Sequence, residues 1–232
     1  MRGRIPRREY RELSICIVGN SHARTLERFA AGRSGIKFLS APGTMISRLK
    51  FSGEKVVVPD EELATYVGVD AGSEIDISIH SAVVLYGCQL VSAGKGNGWL
   101  NFCNSSPRYS SSCMQQAFED RTKSTIGYEL TRCLLGSHSN VWVVPSPFPN
   151  RLHPLVDRQA KWTELVEKLR LRFIEIFASL GAHALWVPDS LTDESGYAVR
   201  DCYKLDREGD NSHLNREGSA LMMKHINAHV NA

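Results

Sequence analysis

Apolar residues in this chain gather in five short, unbroken runs instead of alternating with polar ones. The runs are "LSICIVG" (13–19), "IKFLS" (36–40), "SAVVLYG" (81–87), "NVWVVPS" (140–146) and "HALWVP" (183–188). Continuous runs of this length suit strands buried on both faces, the condition of a strand inside a parallel sheet. Segments with helical patterning lie between them. "SHARTLERFAAG" (21–32) closes on a glycine, a common stop after a helix. "MQQAFEDRTKSTIGYELTRCLLG" (114–136) shows apolar positions at helical spacing in its second half. The strongest helix falls within 154–181, where Leu165, Val166, Leu169, Phe173, Ile176 and Phe177 repeat on one face ahead of Gly181. "NREGSALMMKHINAHV" (215–230) supplies a last helix.

Strand–helix alternation of this kind predicts an α/β fold, a parallel sheet with helices on both faces. Ligands of such sheets bind beyond the carboxyl ends of the strands. Two insertions interrupt the rhythm, at 50–74 and at the serine-rich 95–113. The second is long for a plain connection and reads as a lid candidate or a mobile loop. The first twelve residues, "MRGRIPRREYRE", form a basic arm, and 13–232 reads as a single domain. A chain of 232 residues buries a sufficient core without disulfide or metal staples.

Composition changes this picture little. Apolar residues make up 42% and charged residues 23%, ordinary for a globular protein. The net charge is only +3, with much of the basic excess in the arm, so no nucleic-acid partner is expected. No run approaches the ~18 apolar residues of a membrane span. The run after the basic arm is too short for a signal peptide, and no small-residue cleavage site follows, so a cytoplasmic location is expected. Six cysteines occur without a Cys-x-x-Cys pair. Cys16, Cys88 and Cys133 lie in apolar runs and read as small buried hydrophobes. Cys103 and Cys113 flank the polar loop, and no bridge is expected between them.

The chemistry lies at the strand ends. In "GNSHA", Gly19 ends the first strand and Ser21 falls where the next helix begins. Unpaired N–H groups at a helix start suit an oxyanion, and a serine hydroxyl there is placed to attack a carbonyl. Taken alone, Ser21 or Asn20 reads equally as a helix cap. A nucleophilic serine needs a base, and "DREGDNSHLNREG" near the other end holds Asp210 and His213 three apart. At that spacing a turn brings the carboxylate onto the imidazole and sets its tautomer, leaving the other ring nitrogen free.

Gly19-Asn20-Ser21 and Asp210-Asn211-Ser212-His213, continued by Leu214, Asn215 and Gly218, resemble the blocks of the SGNH hydrolase superfamily, the GDSL-like esterases and lipases. The resemblance implies a three-layer α/β/α sandwich on a five-stranded parallel, flavodoxin-like sheet. It implies Ser21 as nucleophile, His213 as base and Asp210 as its acid. It also implies an oxyanion hole from Ser21 N–H, Gly43 N–H in "SAPGTM" and an amide after strand three. There the family's Gly-x-Asn-Asp is replaced by Gly87-Cys88-Gln89-Leu90, so Gln89, or Asn97 or Asn101 beyond it, would donate. No cofactor or metal is implied. The substrate expected by this resemblance is a small O-acyl ester, acetyl by preference and carried by a saccharide. Hydrolysis and acyl transfer share the triad, and a saccharide-binding module would share the fold.

Other residues are weaker candidates. His22 and Arg24 follow the serine and read as structural neighbours. His225 and His229 have metal-ligand spacing but no third ligand. The acid adjacent to the base argues against a G-x-S-x-G elbow, and the first-strand loop lacks the glycine–lysine pattern of a P-loop.

Overall fold

The computed structural model describes residues 14–30, 35–88, 110–147, 162–193, 199–208, 210 and 213–231. The basic arm, Gln89, Asn97, Asn101, Cys103 and most of the 95–113 loop lie outside the described residues, as does the start of the 154–181 segment.

Five parallel strands form the main sheet: β1 (Ile15–Gly19), β2 (Ile36–Ser40), β6 (Ala82–Cys88), β7 (Val141–Pro145) and β8 (His183–Ala184), in the spatial order β2-β1-β6-β7-β8. Counted within this sheet alone the order is 2-1-3-4-5, the flavodoxin-like form of a doubly wound sheet. Register runs from Phe38 through Ile17 and Val84 to Trp142 and His183. β1 is buried along its whole length, as its unbroken apolar run requires.

Among the described residues six helices accompany the sheet: α1 (Ser21–Ala30), α2 (Glu61–Val67), α3 (Ser111–Lys123), α4 (Ile126–Leu135), α5 (Trp162–Ser179) and α6 (Arg216–Val230). α1 packs on α6, whereas α3 packs on α4 and α5. Right-handed crossovers from β1 leftward to β2 and from β6 rightward to β7 and β8 put these two groups on opposite faces. The expected three-layer α/β/α architecture is therefore the one adopted. Phe173, Phe177, Leu26, Ile17, Leu134 and Met222 meet in one core with the strand residues. Each such side chain contributes about 1.5–3 kcal/mol by leaving water.

Several expectations need correction. The fifth run pairs only at His183 and Ala184; Leu185, Trp186 and Val187 are buried but leave the ladder, apart from Leu185 N–H bonding Val143 O. Burial, which an apolar run reports, does not require strand pairing at a sheet edge. The 114–136 segment is two helices, because Thr125 Oγ1 accepts from Tyr128 N–H and restarts the chain as α4. α3 begins earlier than expected, with Ser110 capping Cys113 N–H, so residues 111–113 form its first turn. The 50–74 insertion is structured: β3 (Lys50–Ser52), β4 (Lys55–Val57) and β5 (Glu74–Asp76) form an antiparallel sheet, with α2 between the last two. Cys133 is exposed, because it lies on the outer side of α4, whereas Cys16 is buried as expected.

Candidate functional site

The site grows from the tight passage of β1 into α1. A Cβ on Gly19 would stand 2.1 Å from Tyr86 O and 2.7 Å from the Ala23 side chain, so only glycine lets β1 and α1 pack this closely beside β6. Asn20 then spans the turn. Its Nδ2 donates to Gly87 O, and its Oδ1 accepts from His22 N–H. Gly87 is matched to this, with φ +93° and an absent Cβ that would lie 2.3 Å from Asn20 Oδ1. Asn20 is thus the residue that caps α1. Ser21 is the first helical residue, half-buried, and its carbonyl accepts from Thr25 Oγ1.

The second piece comes from the loop before α6. Asp210 Oδ1 and Oδ2 lie 2.9 and 2.8 Å from His213 Nδ1, and Oδ1 also accepts from His213 N–H at 3.1 Å. With both contacts on Nδ1, that nitrogen carries the hydrogen and Nε2 is the basic atom. Leu205 N–H to His213 O and Asn215 N–H to Tyr203 O pin the loop to its own return strand. Asn215 Oδ1 caps α6 through Gly218 N–H, while Asn215 Nδ2 holds Cys202 O. At Gly218 a Cβ would meet Tyr203 and Leu214 at 3.0–3.2 Å, so the glycine lets the loop lie flat on the helix.

The packing of α1 on α6 brings the two pieces together. His22, adjacent to Ser21, stacks on His213 with ring centroids 4.5 Å apart and planes 28° apart. His22 is only 6% exposed. Burial, and secondarily the nearby His213, push its pKa down to about 3, with Asp210 pulling the other way. It is therefore a neutral ring against which His213 rests. The His213 and Asp210 side chains keep 21% and 12% of their exposure, while Nε2 is itself buried and without a hydrogen-bond partner among the described residues, Ser21 Oγ included. A base held on one nitrogen and unpartnered on the other is equipped to move a proton.

Of the expected oxyanion donors, Gly43 sits in the turn after β2, exposed and with φ +54°, a left-handed conformation suited to glycine. Gln89 lies outside the described residues. Four other histidines, His80, His138, His225 and His229, are engaged in structure. His225 Nε2 bonds Trp186 O and His229 Nδ1 bonds His225 O. His80 meets Ser14 Oγ, and His138 meets the His80 and Asn140 carbonyls, at the amino ends of the strands and away from the site. Among the described residues no three His, Cys, Asp or Glu side chains group to hold a metal, and no helix is long and apolar enough to cross a membrane. The sequence offers His22 as a structural neighbour of Ser21 but not its partner His213, which lies far along the chain. The glycine pair Gly19 and Gly87 was visible as residues but not as a contact.

No protein-family model matches the chain, and no curated protein matches it. Among solved structures, the chain is similar to a GDSL-like lipase from Bacteroides thetaiotaomicron, at 13% identity and TM-score 0.48, covering 94% of this chain and 87% of that one. It is also similar to the periplasmic domain of a lipopolysaccharide acetyltransferase from Salmonella ser. Paratyphi A, at 10% identity and TM-score 0.43, covering 95% and 84%.

Proposed function

We propose that this chain is an SGNH-type serine ester hydrolase with Ser21 as nucleophile, His213 as general base and Asp210 as the residue that orients it. The observation that carries the reading is His213 Nε2, buried and unpartnered on a ring held by Asp210 and backed by His22 beside Ser21. His213 takes the Ser21 Oγ proton as that oxygen attacks the ester carbonyl. The negative charge that develops on the carbonyl oxygen is met by Ser21 N–H at the start of α1, with Gly43 N–H and Gln89 as further donors. Collapse of the tetrahedral species releases the alcohol, which receives the proton from His213, and leaves an acyl group on Ser21. Water, deprotonated by the same histidine, releases the acid. The serine–histidine hydrogen bond of such a site commonly tightens only when substrate is bound. The preferred substrate is a small acyl, such as acetyl, ester of a saccharide.

The test is p-nitrophenyl acetate turnover by the wild-type chain beside Ser21→Ala, His213→Ala and Asp210→Asn, each shown by circular dichroism to be folded. Loss of about 10⁴-fold or more in kcat is expected for each. Turnover that survives Ser21→Ala removes the proposed mechanism. Product analysis with added sugar alcohols then separates hydrolysis from acyl transfer.

A further inference from the structure

Arg24 stands in the first turn of α1, three residues after Ser21 and so on an adjoining strip of the same helix surface. Its guanidinium carbon lies 4.7 Å from the centre of the Tyr66 ring. The aromatic face on α2 thereby sets the plane of the guanidinium fork. Nη1 is buried and makes no hydrogen bond among the described residues. Within the two helices, the carboxylates at one-turn spacing are engaged elsewhere. Glu27, three residues on in α1, accepts from Ser40 Oγ. Glu62, four residues before Tyr66, is held by Arg48, which also holds Asp60, the α2 cap.

The position is a poor one for a cation on stability grounds. A positive charge in the first turn opposes the helix dipole, which favours negative charge there. A buried donor without an acceptor adds a further desolvation cost. Stacking on Tyr66 offsets part of this, but it leaves Nη1 without an acceptor among the described residues. A negatively charged ligand group would offset the remainder.

We propose that Arg24, seated on Tyr66, is a specificity-determining residue that binds a carboxylate of the substrate, so that the ester cleaved at Ser21 is an anionic one. The proposal rests on the ester-hydrolase reading above and names its substrate class. Guanidinium is the side chain that matches a planar carboxylate with two parallel hydrogen bonds. At one-turn spacing, with Cβ atoms about 5–6 Å apart, a carboxylate on Arg24 leaves a bond a few atoms away within reach of Ser21. The insertion between β2 and β6 thus has a part in recognition, since α2 brings the ring that orients the arginine.

Two ester pairs test this. p-Nitrophenyl hydrogen succinate against p-nitrophenyl acetate places the anion on the acyl side. 4-Acetoxybenzoate against its methyl ester places the anion on the alcohol side. Wild type, Arg24→Gln and Arg24→Lys are compared by the ratio of kcat/KM for the anionic ester to that for its neutral twin, which cancels losses common to both. In at least one pair the ratio is expected to fall about tenfold to a hundredfold in Arg24→Gln, the size of a charge-assisted hydrogen bond, with Arg24→Lys between. Ratios that Arg24→Gln leaves unchanged in both pairs overturn the proposal. Failure of the ester-hydrolase reading looks different: wild type then turns over none of the four esters. In that event the Tm shift produced by millimolar succinate and by 4-acetoxybenzoate decides. A shift in wild type that disappears in Arg24→Gln keeps the anion site; no shift, or one that persists in the variant, removes it.

Discussion

A histidine buried as fully as His22 loses the hydration that stabilises its charged form, and its pKa falls to about 3. Its unfolded value is near 6.5. Between those values the unfolded chain binds a proton that the folded chain refuses, so stability falls as the pH falls through the window. The slope from this one group approaches about 1.4 kcal/mol per pH unit mid-window. Urea unfolding of wild type and His22→Phe from pH 7 to pH 3.5 should show the acid loss reduced in the variant. Equal slopes would mean that His22 is not the buried neutral group described. His80 and His225 are depressed too, chiefly by burial, which is why the comparison is between variants. Cys16 follows the same physics with the opposite sign: burial pushes its thiol up to about 12. A thiol reagent should label the exposed Cys113, Cys133 and Cys202 in the folded chain and reach Cys16 only on unfolding. At this scale the contact of Asp210 with His213 was legible, since the two sit at a spacing that local geometry can close. Stacking of His22 on His213 was not, because no local rule pairs residues from opposite ends of the chain.

The start of α6 shows how an element holds the loop of Asp210 and His213. Asn215 caps the helix and ties down Cys202 O, while Gly218 admits Tyr203 and Leu214 against the first turn. Asn215→Ala should cost about 1 kcal/mol as a lost cap, read in urea unfolding. Gly218→Ala should cost about 1–3 kcal/mol by crowding. Under the proposed mechanism, both should lower kcat in the folded fraction as well, since they loosen the loop that holds His213. A loss of stability with kcat intact would separate the cap from the chemistry. Element by element, the apolar runs predicted β1, β2, β6 and β7 closely, because buried parallel strands must be apolar on both faces. They overstated β8, where burial continues without pairing. They missed β3 to β5, whose three-residue strands are half exposed and too short to show a period. The split of 114–136 turned on Ser124 and Thr125, whose capping outweighs the helical periodicity around them.

Across the whole molecule, the insertion between β2 and β6 is not a detachable lid. Val56, Val58, Leu63, Ala64 and Val67 share one core cluster with the main sheet and with α1, α5 and α6. Unfolding followed by far-ultraviolet circular dichroism and by tryptophan fluorescence should therefore give coincident transitions. An earlier step in one signal would mean that the insertion melts on its own. The strand–helix alternation, hence a parallel sheet with helices on both faces, the tight Gly19 turn and the closure of Asp210 on His213 could all be read along the chain. These are local properties, set by periodicity, glycine and turn spacing within a few residues. Long-range packing alone set β1 between β2 and β6, α1 on α6, His213 on His22 and Arg24 on Tyr66. Those arrangements depend on which buried surfaces fit one another across the chain, and no spacing along the sequence encodes that fit.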